Sequence, residues 1–236
     1  PPPASPLPPR EHRPAVFAEP RSATEHEVRR HMPGLPSSWS GRQWAGALTS
    51  DEASGGRLWY WFFEAKEPRE DTPLLIWLNG GPGCTSMDGL FLENGPFKID
   101  ARGTLAERPT SWHRLAHALY VDQPVGTGYS WSDTGDYCRN DQCIARHFRT
   151  FLTKFARLHS DLALLRRRDG DERGKKIKSV PLVFCGESHA GHYVPILVEE
   201  LLKDYGDEEE SSEGSSSSSS SSSPAAAIEW DVRGMA

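Results

Sequence analysis

The chain has no long apolar run: none of its 236 residues belongs to a stretch approaching the roughly 20 apolar residues that would span a bilayer. It has no charged-then-apolar leader either, beginning Pro1-Pro2-Pro3, so the expectation is that any targeting segment was removed or never included. Positive charge is in deficit. Lys and Arg total 27 against 33 Asp and Glu, a net −6, which argues against nucleic acid as a partner because phosphate binding needs clustered excess cations. The one basic run, Arg166-Arg167-Arg168, fits the solvated end of a helix. Cysteine is scarce. Cys138 and Cys143 lie close in a turn-rich stretch where local pairing is open to them, whereas Cys84 and Cys185 sit in or beside expected strands, Cys185 being equally suited to a buried free thiol. No His, Asp or Cys cluster has ligand spacing, so no metal is implied, and no cofactor is implied either.

Apolar residues make up 36% of the chain, and the shortage lies at the two ends. Residues 1–38 are proline-rich and read as an extended arm without fixed structure. Residues 207–226 are acidic and then serine-rich, with nine consecutive serines, and read as a disordered insertion. The region between them alternates strands and helices. Leu58 to Glu64 reads as the second strand of a hairpin, and Pro73 to Leu78 is a continuous apolar run of the kind buried on both faces. Leu115 to Asp122 is another strand. Gln142 to about Arg168 places Ile144, Phe148, Phe151, Leu152, Phe155, Leu158, Leu162 and Leu165 at steps of three and four, the mark of an amphipathic helix. Ile228 to Ala236 reads as one last strand. Strands that repeatedly deliver glycine-rich loops predict an α/β fold.

The organising stretch is Val180 to Pro195, V-P-L-V-F-C-G-E-S-H-A-G-H-Y-V-P. Gly186 and Ala190 stand two before and two after Ser188, the spacing of a turn that lifts a serine hydroxyl off the end of a strand. Asn79-Gly80-Gly81-Pro82-Gly83 leaves amide N–H groups open to an anion or a carbonyl oxygen. It is no Walker loop, since no Gly-Lys-Ser/Thr follows, and its spacing disfavours a dinucleotide site. Glu93 stands alone in an apolar run, where a buried carboxylate is costly unless paired or protonated.

Trp77 to Ser86 (W-L-N-G-G-P-G-C-T-S), Tyr120 to Ser130 (Y-V-D-Q-P-V-G-T-G-Y-S) and Cys185 to Pro195 together resemble the serine carboxypeptidase family, in order and in spacing. The resemblance runs from about Trp39 to Ala236 and covers the first half of the family domain. It implies an α/β-hydrolase-type, mostly parallel sheet with flanking helices, here truncated after the strand that follows the nucleophile helix. It also implies hydrolysis that releases single residues from peptide and protein C-termini, in vacuoles, lysosomes or outside the cell. By that resemblance Ser188 is the nucleophile, and Gly81 and His189 are oxyanion donors through backbone N–H. Asn79, Gly80, Glu93 and Glu187 hold the substrate's terminal carboxylate, and Cys84 is cross-linked to a cysteine outside this chain. His189 stands where the family usually has tyrosine, and Thr85 where it usually has serine. A hydrolase triad of this type runs Ser, Asp, His along the chain, yet only 48 residues follow Ser188. Asp204, Asp207 and Asp231 do not match the family's acid, and His189 and His192 are too near Ser188 to serve as its base. The expectation is therefore a fragment of an enzyme, inactive by itself. The alternatives are a non-catalytic truncated chain, or an esterase or acyltransferase on the same fold.

Overall fold

The computed structural model describes residues 17–28, 34–35, 39–162, 164–167, 176–203 and 227–236. The stretch 207–226 and the first sixteen residues lie outside the described residues.

A six-stranded sheet forms the centre. Its strands are β1 (Gln43–Asp51), β2 (Gly56–Phe63), β3 (Leu74–Leu78), β6 (His117–Asp122), β9 (Leu182–Gly186) and β11 (Val232–Met235), in the order β1-β2-β6-β3-β9-β11. β2 is antiparallel to both of its neighbours, while β6, β3, β9 and β11 run parallel. A small hairpin joins β4 (Phe97–Ile99) to β5 (Leu105–Glu107), and a three-stranded sheet takes β7 (Leu165–Arg167), β8 (Lys176–Ser179) and β10 (Ala227–Glu229). The helices are α1 (Asp141–Leu158) and α2 (Ala190–Leu202).

The continuous apolar run of β3 is explained by burial on both faces. Leu74, Ile76 and Leu78 point into a core with Phe148, Phe151, Phe155, Val194 and Leu197 of the helices, while Leu75 and Trp77 pack with Leu90, Phe97 and Tyr120 on the other side. α1 starts where the Asn140 side chain accepts from Cys143 N–H at 2.9 Å, a cap that takes up one orphan donor of the first turn.

Four expectations are corrected. α1 stops at Leu158 and does not reach Arg168. His159 carries its ring fully into the core, against Phe62 and Phe155 and bonded to Tyr60, so the backbone leaves the helix there. Leu162 and Leu165 still pack inward, but from a 3₁₀ turn and from β7, so Arg166 and Arg167 lie on a strand and not on a helix end. The final strand is two, because its neighbour also breaks: Pro181 has no N–H to continue the ladder between β8 and β9, and the chain bends with it at Trp230 and Asp231. Residues 17–28, expected to belong to an arm without fixed structure, lie along β1. Glu27 bridges Trp44, Ala45 N–H donates to the His26 carbonyl, and Ala23 is buried.

The Tyr60 hydroxyl sits between His26 Nδ1 at 2.9 Å and His159 Nε2 at 3.0 Å, joining this segment to the end of α1 through β2. Burial depresses His26, holds His159 down to about 3, and holds His113 and His117 down to about 4. The unfolded chain takes up these protons near about 6.5, so it binds more protons than the fold below that value, and stability falls as pH drops. Asp122 and Glu64, raised by burial, act oppositely, but only toward the carboxylate range. The urea midpoint is expected to fall between about pH 7 and pH 5; a flat or rising midpoint would contradict this.

Candidate active site

β3, β6 and β9 deliver their loops to the same end of the sheet, the carboxyl ends of parallel strands where open α/β sheets gather their sites. The β3–β9 register sets the first contact. Leu78 pairs with Gly186, and Glu187 N–H donates to the Leu78 carbonyl at 3.1 Å, so Asn79 and Gly80 leave the sheet beside Glu187 and Ser188. Ser188 has φ 58, the one non-glycine residue with positive φ among the described residues, and its side chain is exposed. That conformation costs of order 1–3 kcal/mol and persists only where the surroundings enforce it. Here Ala190 N–H bonds the Glu187 carbonyl at 3.1 Å and Gly191 N–H the Ser188 carbonyl at 3.0 Å, closing the turn into α2.

Gly80 lies so close to this turn that a Cβ on it would collide with His189 N and sit 2.7 Å from the Glu187 carbonyl oxygen. Only glycine fits. Next to it Gly81 has φ 105, and among the described residues neither the Gly81 nor the His189 N–H has an acceptor, the latter belonging to the residue directly after the exposed serine.

Asn79 is buried and fully bonded. Its Oδ1 accepts from Trp77 Nε1 at 2.7 Å and from Gly89 N–H at 3.0 Å, which fixes which way the amide faces. Its Nδ2 donates to Glu93 Oε1 at 3.2 Å and to Glu187 Oε2 at 3.1 Å. Both hydrogens of that amide go to the two glutamates, so in this state Asn79 orders the carboxylate pair and has no hydrogen left for a further anion. Glu93 is not the buried carboxylate expected from its apolar surroundings. It comes off a π-helical turn, Gly89–Glu93, and is exposed, as is Glu187. His189 packs its ring on His192 and Tyr193, with centroids at 5.2 Å and 4.8 Å, and His192 Nε2 lies 3.2 Å from Asp141. Cys84 is free and exposed, Cys185 is free and buried, and Cys138 is bonded to Cys143.

The sequence reading passed over Asp122. It is fully buried at the end of β6 and accepts from Thr85 Oγ1 at 2.7 Å, Ser86 N–H at 2.8 Å and Tyr129 N–H at 2.9 Å. Burial raises its carboxyl above the ordinary value even though all three donors pull the other way. A Cβ on Gly128, at φ 53, would strike this carboxylate, so the chain can wrap Asp122 only with glycine there. An aspartate closing an apolar strand before a glycine-rich loop was the available signal.

A model of the serine carboxypeptidase family matches residues 33–213. The chain belongs to the serine carboxypeptidase family. Among relatives, a pheromone-processing carboxypeptidase of Phytophthora infestans is 40% identical over 177 residues, covering 75% of this chain and 29% of that protein. Another, of Tuber melanosporum, is 35% identical over 206 residues, covering 87% of this chain and 28% of that protein. The crystal structure of a prohormone-processing carboxypeptidase from Saccharomyces cerevisiae matches 77% of this chain and 39% of its own length, with 29% identity and a TM-score of 0.63. The sheet is that of the α/β-hydrolase fold, and the chain spans under a third of the length of these two curated family members.

Replacing Asp122 with alanine strands the buried donor at Ser86, worth about 1–3 kcal/mol, and takes the acceptor from Thr85 and Tyr129, which are more open to water. The Asp122→Ala variant is therefore expected to lose about 1–3 kcal/mol in urea unfolding, and a loss below about 1 kcal/mol would show that the carboxylate does not hold the two loops together.

Proposed function

We propose that this chain supplies the nucleophile, the oxyanion donors and the carboxylate clamp of a serine-type carboxypeptidase that releases residues from peptide and protein C-termini. The observation that carries the reading is the Asn79 amide, which holds Glu93 and Glu187 as a pair within reach of an exposed serine at positive φ. In this reading Ser188 attacks the last peptide carbonyl, and Gly81 and His189 N–H groups receive the developing oxyanion, where loss of one donor typically costs about 10²–10³ in rate. The leaving residue's carboxylate meets the Gly80 N–H and the two glutamates. An anion is accepted beside two carboxyl groups only when protons are shared among the three, so the pair suits a terminal carboxylate and has no purpose in a plain esterase. Asn79 acts mainly by aligning the pair.

The base that activates Ser188 is not among residues 1–236. His189 and His192 are the only later histidines, and His192 faces Asp141. Without a base the hydroxyl stays a weak nucleophile. A vacuolar, lysosomal or secreted location fits the Cys138–Cys143 disulfide, since such bonds persist in oxidising compartments.

Two measurements test the reading. Residues 1–236 alone are expected to hydrolyse a blocked dipeptide no faster than their Ser188→Ala variant; serine-dependent turnover above that control would show that a base lies within these residues. In the whole protein, Glu187→Ala is expected to raise KM for a peptide with a free C-terminus by roughly 10–100-fold, the worth of a hydrogen bond to a charged group, with little effect on its C-terminal amide. Equal effects on both substrates would remove the clamp.

A further inference from the structure

The sequence spacing implied no metal, yet the fold gathers Cys138, Cys143 and His147, whose ligand atoms lie within 4.8 Å of one another. Cys143 and His147 are one helical turn apart on α1, and Cys138 reaches them from the loop before it. His147 Nε2 is 3.9 Å from Cys138 Sγ, 3.7 Å from Cys143 Sγ and 3.9 Å from Asp51 Oδ2, and its Nδ1 is 3.4 Å from Cys138 Sγ, so the ring edge lies against both sulfurs with Nε2 also toward the carboxylate. A tetrahedral metal with sulfur at about 2.3 Å and nitrogen at about 2.0–2.1 Å holds those two atoms about 3.5 Å apart. The nitrogen is thus close to its place, and the main rearrangement is that the sulfurs part to about 3.8 Å. Asp51 arrives from the end of β1, held there by Ser54 N–H at 2.9 Å and by the Ser54 hydroxyl. All three cluster residues are half-buried, which leaves an entry path.

We propose that, once its disulfide is reduced, the Cys138–Cys143–His147 cluster with Asp51 is a binding site for a thiophilic divalent cation such as Zn²⁺. A dithiol reductant supplies two electrons and two protons, becoming a disulfide itself, and leaves two thiols. The cation displaces those two protons, so two thiolates and the neutral His147 Nε2 lone pair bind it, with an Asp51 oxygen as fourth ligand. The disulfide closes a loop of only five residues, whereas the cation ties the β1 end to α1 across about a hundred residues of chain. Loss of the disulfide is thereby answered by a longer-range cross-link, since longer closed loops constrain the unfolded chain more.

The test uses Co²⁺ as a spectroscopic probe on protein kept reduced by a phosphine, in a Cys84→Ser background that removes the exposed thiol. One Co²⁺ per chain with a thiolate-to-metal charge-transfer band is expected, absent from the oxidised protein and lost in Cys143→Ser and in His147→Gln. No band on reduction, or a band that survives both substitutions, overturns the site. Should those variants fail to fold, alkylation mapping of the parent chain decides. Zn²⁺ is expected to slow modification of Cys138 and Cys143 at least tenfold and to leave Cys84 unaffected, and equal rates with and without Zn²⁺ refute the proposal.

Discussion

The parallel register of β3 on β9 is the constraint from which the site follows. Leu74 pairs with Leu182 and Leu78 with Gly186, so the two chains leave the sheet side by side, and Asn79 and Gly80 meet Glu187 and Ser188 without any side chain having to reach. A slip of one residue would turn Leu74, Ile76 and Leu78 away from the helices and carry Asn79 to the other face. The hydrophobic effect therefore sets the chemistry's geometry. Alternating burial on two cores fixes the register, and the register then fixes which loop residues share a corner.

Backbone closeness does the next part. Gly80 has no room for a side chain because the turn at Ser188 passes within contact distance, and it is this approach that packs the loop after β3 against the backbone of Glu187 and His189. The neighbouring strand contributes through Asp122, which binds the loop after β3 and the loop after β6 with a single carboxylate. The buried charge is unfavourable taken alone, as the raised carboxyl indicates. It is retained where the buried Ser86 N–H would otherwise be left without a partner and where Thr85 and Tyr129 converge on the same carboxylate.

Much of this was legible in the sequence because it rests on local rules. The apolar run Leu74 to Leu78 announces a strand buried on both faces, and Gly186, Ser188 and Ala190 announce the turn. What escaped depends on contacts distant in sequence. His159 ends α1 through a bond to Tyr60, ninety-nine residues earlier, so a helical periodicity that continues through Leu162 and Leu165 cannot reveal the break. The path of residues 17–28 along β1 is likewise set by His26 and Tyr60, while the proline-rich composition around it suggested only extension. Glu93 misled for a related reason. Its apolar neighbours Leu90 and Phe91 turn inward, while Leu92 and Glu93, the two residues between them and Asn94, face out.

That outward turn is a consequence of the π geometry at Gly89–Glu93. Asn94 N–H reaches back to the Gly89 carbonyl at 2.9 Å, five residues away, and so closes a wider turn than an α-helix would. In an α-turn each residue advances about 100° around the axis, so removing one residue would swing Glu93 by that angle away from the Asn79 amide. The wider turn keeps Leu90 buried under Trp77 while Glu93 lies 3.2 Å from Asn79 Nδ2. Such turns are intrinsically rare, and here the Asn79 side chain stabilises one from both ends: Oδ1 accepts the Gly89 N–H that begins it, and Nδ2 donates to the Glu93 carboxylate that finishes it. One amide thus shapes the backbone that presents the first glutamate and, on its second hydrogen, aligns the other.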